Sequence, residues 1–279
     1  MQVFKTVKEI QIYFINSKPK SIGFVPTMGA LHVGHISLIN VSKKQNNITV
    51  CSIFVNPKQF NNPEDLIKYP RNIDADLEKL ANANCDVVFV PSVEEMYPNK
   101  IEKEYNFGIL STVMEGEHRP GHFNGVAIVI ERLFDIIKPN KAYFGEKDFQ
   151  QLSVIKELVK QLKLPIKIIG CPIIREDNGL AMSSRNERLT KIEHNAASEI
   201  NKALKYVSQN KNNYSVLELK KYFNNYLSKN KLLTTEYFEI ADGNSLTPIN
   251  HWNETEYLIA FTAVMVGGVR LIDNMTIIN

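Results

Sequence analysis

The chain has 279 residues, enough for a large core and for about two domains at roughly 150 residues each. Its 44% hydrophobic and 23% charged residues exclude a disordered, fibrous or membrane-embedded chain. Lys and Arg number 33 against 30 Asp and Glu, and the resulting +3 excludes the strongly basic face of a dedicated nucleic-acid binder.

In chain order, short apolar runs at residues 21–26, 48–55, 86–90, 141–144 and 166–171 predict buried parallel strands. Helical patterns at 34–44, 73–82, 125–137 and 149–162 alternate with them; Val126, Ile130, Leu133 and Ile137 share one stripe. This alternation predicts the α/β class, an open, doubly wound, Rossmann-like parallel sheet. In such a sheet, ligands sit beyond the carboxyl ends of the strands, where strand order reverses. From residue 175 the texture changes to Lys- and Asn-rich helices at 191–209 and 215–229, then strands at 235–241 and 257–266. A first domain over 1–174 and a smaller α+β C-terminal domain over 175–279 are expected.

Cys51, Cys85 and Cys171 are odd in number, far apart and without zinc spacing, so they read as reduced, buried thiols. The N-terminal stretch lacks the features of a secretory signal, and the longest uncharged apolar stretch, 257–269, is too short to span a bilayer as a helix. A cytoplasmic location is expected, with no membrane partner.

Four loops can carry chemistry. In PTMGALHVGH, residues 26–35, a strand runs through Thr27, Met28 and Gly29 into a helix starting near Gly34. The unpaired N–H groups of that helix end make an anion site, where His32 and His35 can donate to phosphate oxygens, with charge assistance if protonated. A chance H-x-G-H match is the plain alternative. In FVNPKQF, residues 54–60, Asn56 and Gln59 can both donate and accept, which suits a small hydroxy acid, although an Asn-Pro turn leaving a strand looks the same.

HRPGHFNGV, residues 118–126, comes next, followed by KAYFGEKDFQQL, residues 141–152. There Gly145 opens a turn, and Glu146, Lys147, Asp148, Gln150 and Gln151 crowd the strand end. Lys147 is suited to neutralise charge building on an α-phosphate, and Gln151 to hold a substrate, while the acids could simply favour a helix N-terminus. The fourth loop, REDNGLAMSSRNERL over 175–189, offers two hydroxyls and Arg185 to a triphosphate, or is a solvated linker.

Taken together, PTMGALHVGH, FVNPKQF, YPR, RPGHFNGV, YFGEKDFQQL, AMSSRN and RLIDN cover nearly the whole chain and resemble the pantothenate synthetase family of HIGH-motif nucleotidyltransferases. The resemblance makes the first domain nucleotide- and pantoate-binding and the second a lid. It implies a ligase that joins pantoate to β-alanine, a reaction of coenzyme A biosynthesis. Pantoate first attacks Mg-ATP to give pantoyl adenylate and pyrophosphate, and β-alanine then releases pantothenate and AMP. His32 and His35 match the signature histidines, and residues 182–186 stand in for the KMSKS loop, with Ser183, Ser184 and Arg185 replacing paired lysines.

The resemblance further implies that Pro26, Thr27, Met28, Gly29, Gly34, Gly145, Asp148 and Met182 face ATP and that Lys147 bridges its α- and β-phosphates. Ser183, Ser184 and Arg185 hold the leaving pyrophosphate. Gln59 and Gln151 hold pantoate, with Asn56, Met28, Arg119 and His122 beside them. Mg²⁺ is expected on phosphate oxygens and water, with Asp76 as the candidate carboxylate; Ala75 stands where relatives can carry an acid. A homodimer built through the first domain is also implied. Two rivals differ in class: a metal hydrolase using the two histidines, testable by metal analysis, and a non-enzymatic nucleotide or RNA binder, against which the intact loops and modest charge count.

Overall fold

The computed structural model describes residues 1–277. In chain order, β1 is Gln2–Phe4, α1 Val7–Ser17, β2 Ile22–Thr27, α2 Val33–Gln45, β3 Ile48–Ile53, α3 Pro63–Ile67, α4 Ile73–Asn82, β4 Val87–Phe89 and α5 Val93–Met96. There follow α6 Glu115–His118, α7 His122–Ile137, β5 Lys141–Gly145, α8 Phe149–Gln161, β6 Lys167–Cys171, α9 Lys191–Gln209, α10 Val216–Leu227, β7 Leu233–Asp242, β8 Leu258–Val266 and β9 Val269–Ile277.

Six parallel strands form one sheet in the order β1-β4-β3-β2-β5-β6. The expected α/β doubly wound architecture is present. Apolar strands are needed here because both faces are covered, and alternate residues serve different cores. Phe24, Val50, Val87 and Ala142 pack on one face with α7 and α8, whose Phe134 meets Phe24 edge-on. Val25, Cys51, Val88 and Tyr143 pack on the other with Leu38 and Ile39 of α2. The order reverses between β2 and β5, so the loops leaving those two strands flank a crevice.

The second sheet is antiparallel, β7-β8-β9. Leu258, Ala260, Val264 and Val266 of β8 face α9 and α10, where Phe223 stacks on Phe238 with centroids 3.9 Å apart. Ile259 and Phe261 face the other way, onto Met114 and Phe149 of the first sheet's layer. The small sheet is thereby docked against the ends of α6 and α8.

Besides the short helices α3, α5 and α6, three elements lie outside the sequence reading. One is α1, capped by the reciprocal Thr6–Glu9 pair, and another is the short edge strand β1. The third is β9, joined to β8 through Gly267 and Gly268, both at positive φ as a tight hairpin turn requires. Cys51, Cys85 and Cys171 are buried free thiols, and burial pushes Cys51 well above its ordinary range and Cys85 up to about 12. Among the described residues, no helix is long and apolar enough to cross a membrane.

Candidate active site

The turn leaving β2 is held by side chains rather than by its own ladder. Thr27 donates to the Ser52 carbonyl at 2.7 Å and accepts the Gly29 N–H at 3.3 Å. Gly29 then takes φ of +81°, and a Cβ there would lie 2.9 Å from Asp76 Oδ2. Asp76, only 1% exposed, accepts the N–H groups of Ala30 at 2.8 Å and Leu31 at 2.7 Å. Lys79, one turn further along α4, donates to the Leu31 carbonyl at 2.6 Å. Each oxygen of Asp76, the carboxylate expected to meet Mg²⁺, thus takes one backbone N–H, and the side chain is not among those lining the cleft. Gly29 likewise shapes the turn and is not a wall residue.

His32 is the N-cap of α2, and its Nδ1 accepts the Gly34 N–H at 3.1 Å; His35 Nδ1 accepts the His32 N–H at 3.4 Å. An Nδ1 that accepts leaves the proton on Nε2, so both rings present an Nε2–H donor. The rings lie 4.1 Å apart. Burial, reinforced by Lys147, pushes His32 down to about 4, and burial with the neighbouring His32 holds His35 well below the ordinary range. The sequence leaves protonation open; the structure makes these donors neutral. Gly34 permits the arrangement, since a Cβ there would meet His32 Cε1 at 2.9 Å.

A cavity of about 210 Å³ opens at the strand reversal. Pro26, Thr27, Met28, His32, Gly34 and His35 line it from the β2 side. Gly145, Lys147, Asp148 and Gln151 line it from the β5 side, and Gln59 with apolar residues of α7 forms a further wall. Met182, Ser183, Ser184 and Arg185 approach from across the cleft.

Gln59 Nε2 lies 3.0 Å from Met28 Sδ, and its Oε1 accepts from Asn56 at 3.2 Å. Asn56 itself is 1% exposed and fully engaged: its amide also donates to the Gly125 carbonyl at 3.1 Å, and its oxygen accepts from Tyr97 and from the Lys58 N–H. A Cβ on Gly125 would collide with the Lys58 carbonyl, so α7 approaches this loop through glycine alone. Asn56, expected beside pantoate, here supports Gln59 from behind. His122, in the first turn of α7, donates from Nδ1 to the Gln59 carbonyl at 2.8 Å and accepts Arg119 Nη1 on Nε2 at 3.1 Å. Arg119 and His122, expected beside pantoate, border the cavities adjoining the cleft.

The loop after β6 is fastened across the cleft. Ser184 donates to the Ala30 carbonyl at 3.2 Å, and Ser183 caps the 3₁₀ turn Ser184–Arg188 by accepting the Arg185 N–H. Arg185 and Arg188 both bind Asp65 of α3, at 2.8 and 3.0 Å. On the β5 side, Lys147 Nζ lies 3.6 Å from Asp148 Oδ2.

Several site-shaping residues escape a reading of the sequence. Tyr69, in the YPR stretch, lines the cleft. Arg270 forms a fork with Glu115 at 2.9 and 2.7 Å, and Arg175 another with Asp273 at 2.7 and 2.9 Å. Burial alone would raise Glu115, but Arg270 and its neighbours win and bring it to about 2. The RLIDN stretch is visible as a motif, yet Glu115 and Lys147 lie more than a hundred residues away from it and leave no local signal.

A doubly wound α/β enzyme is thus defined, its crevice at the strand reversal supplied with a helix N-terminus, two imidazole donors and a lysine suited to a phosphorylated ligand. A family model described as pantoate-beta-alanine ligase matches residues 2–276, and the chain belongs to that family. It is 51% identical over 279 residues to the pantothenate synthetase of Azobacteroides pseudotrichonymphae genomovar. CFP2, covering 99% of this chain and 100% of that one. The crystal structure of pantothenate synthetase from Thermus thermophilus is 37% identical, superposes with a TM-score of 0.94 and covers 100% of both chains. A pantoate-beta-alanine ligase from Francisella tularensis, complexed with beta-gamma ATP and beta-alanine, is 36% identical with a TM-score of 0.83, covering 99% of this chain and 97% of that one. The chain is accordingly a ligase of pantothenate biosynthesis, joining pantoate to β-alanine.

Proposed function

We propose that ligation proceeds through pantoyl adenylate in this cleft, with ATP as the activating substrate. The observation that carries the reading is the convergence of the two neutral Nε2–H donors and Lys147 on one crevice at the strand reversal. The beta-gamma ATP bound by the Francisella relative supports the nucleotide.

The pantoate carboxylate is a poor electrophile, so it attacks the α-phosphorus and the α–β phosphoanhydride bond breaks, releasing pyrophosphate. The β-alanine amine, as it loses a proton, then attacks the acyl carbonyl, and AMP leaves. Such displacement asks for positioning and charge neutralisation rather than a protein nucleophile. In this reading Gln59 and Gln151 orient pantoate, His32 and His35 donate to phosphate oxygens, and Lys147 neutralises charge at the α-phosphate. Pro26, Thr27 and Met28 border the reacting groups. Gly145, Asp148 and Met182 flank the nucleoside, while Ser183, Ser184 and Arg185 take the pyrophosphate.

Mg²⁺ enters this scheme as the counterion of ATP. The donor set suits that role, because among the described residues no three His, Cys, Asp or Glu side chains converge, leaving phosphate oxygens and water as ligands. The division at residues 174 and 175 belongs to the same reading, supported by the end of the parallel sheet at Cys171 and the start of the antiparallel one at Leu233. So do a homodimer, which sedimentation would check, and a cytoplasmic location. Pyrophosphate should leave ATP only when pantoate is present, and AMP with pantothenate should appear only after β-alanine is added. Pyrophosphate release with other acids but not with pantoate, or an acyl group bound covalently to the protein, would refute this sequence of steps.

A further inference from the structure

The last strand grips the turn that carries the lysine. Asn274 on β9 is 5% exposed, and its side-chain amide donates to the carbonyls of Glu146 at 2.9 Å and Lys147 at 2.8 Å. Those carbonyls belong to the two peptide planes flanking the Lys147 Cα. Peptide units are rigid, so fixing one plane on each side fixes φ and ψ of Lys147 and the direction of its Cα–Cβ bond. The turn Glu146–Asp148 has no side-chain cap of its own to do this.

Asn274 is in turn held on its own backbone. Its N–H donates to Asp273 Oδ1 at 2.8 Å, and its carbonyl accepts Arg175 Nη2 at 3.1 Å. Asp273 also receives the Arg175 fork, so the base of the 175–189 loop and the lysine turn hang from the same two residues. Only a short amide supplies two N–H donors in one plane at this reach; serine has one donor and a carboxylate has none when ionised.

We propose that Asn274 is a positioning residue for adenylate formation, aiming Lys147 into the cleft through the two peptide planes around it. The inference rests on the role given above to Lys147, and the experiment separates the two. Pyrophosphate release with ATP and pantoate is measured for the parent enzyme, Asn274→Ala, Lys147→Ala and the double variant, well below their melting temperatures. Misaiming by about 1 Å costs on the order of 100-fold, so Asn274→Ala should lower kcat roughly 10- to 100-fold while the pantoate KM stays within about 2-fold. In the Lys147→Ala background the same change should cost less than about 2-fold, since nothing remains to be aimed.

Asn274→Asp adds a readout that a purely structural role would not move. A protonated carboxyl can donate to one of the two carbonyls and an ionised one repels both, so its rate relative to the parent should fall as pH rises. The charged and titratable groups around that position are Asp273 on its own strand, Arg175 from the preceding loop, and Glu146, Lys147 and Asp148 of the turn; Glu115, Arg119 and His122 line the small cavity beside it. A parent-like rate for Asn274→Ala overturns the inference. So does a double variant showing the full product of the single losses, or a pH-independent ratio for Asn274→Asp. A slow Lys147→Ala beside a normal Asn274→Ala removes this inference alone, whereas a normal Lys147→Ala removes the lysine's role and the inference together.

Discussion

Asp65 meets Arg185 at 2.8 Å on the border between the cleft and the larger cavity beside it, and takes Arg188 on its other oxygen. One carboxylate thus occupies the guanidinium that the proposed reaction offers to pyrophosphate oxygens. A partly exposed pair of this kind contributes at most about 1 kcal/mol. Asp65→Asn, which keeps the shape and removes the competing charge, should lower the KM for ATP by roughly 3- to 5-fold. An unchanged or raised KM would show that Asp65 steadies Arg185 rather than competing for it.

Lys147 is the cation shared by the cleft and both cavities next to it. Removing one electrostatic contact at a reacting centre costs several kcal/mol of barrier, so Lys147→Ala should slow adenylate formation on the order of 100-fold or more. Single-turnover pyrophosphate release reads this directly, and near-normal turnover would discard the role.

The imidazoles set a pH dependence of stability. Burial places His32 and His122 at about 4 in the folded chain, below the ordinary 6.5, with Lys147 and Arg119 respectively adding to the effect. Unfolding therefore takes up protons between those values. The stability these rings contribute is complete above about pH 6.5 and is lost as pH falls through about 4. Urea unfolding should show a loss of roughly 2 kcal/mol per ring between about pH 6.5 and about pH 5. A flat profile across that interval would mean that the rings take up protons in the folded protein as they do in the unfolded chain.

Asp76 should behave as a clamp. Asp76→Asn places an amide where two backbone N–H groups need acceptors, costing about 1–3 kcal/mol of stability. The Mg²⁺ concentration that half-saturates the remaining activity should stay unchanged. A selective rise in that requirement would return Asp76 to the metal.

Where the chemistry follows directly on a strand, the sequence is readable. The apolar runs before Thr27 and before Gly145, alternating with helical stripes, announce a parallel sheet and the two strand ends at its reversal. His32, His35, Lys147 and Gln151 can be picked out because they fall within a few residues of those ends. Residue type points Asn56 at the substrate and the family resemblance points His122 there, but side-chain direction depends on packing: the Gly125 approach turns Asn56 away, and helix α7 starts at His122, earlier than the apolar stripe indicates. Arg270, Asp273 and Asn274 are harder still, because a fork to Glu115 or a grip on the lysine turn joins positions remote in sequence and obeys no local period.

The contact between the His32 and His35 rings has a further consequence. Uncharged and only 4.1 Å apart, each ring carries its hydrogen on Nε2 and spends the Nδ1 lone pair on a backbone N–H, so neither has a free site for a second hydrogen when a polyanionic guest arrives. Nucleotide capture should then draw no proton onto this pair, and binding heats compared in buffers of differing ionisation enthalpy would reveal any uptake.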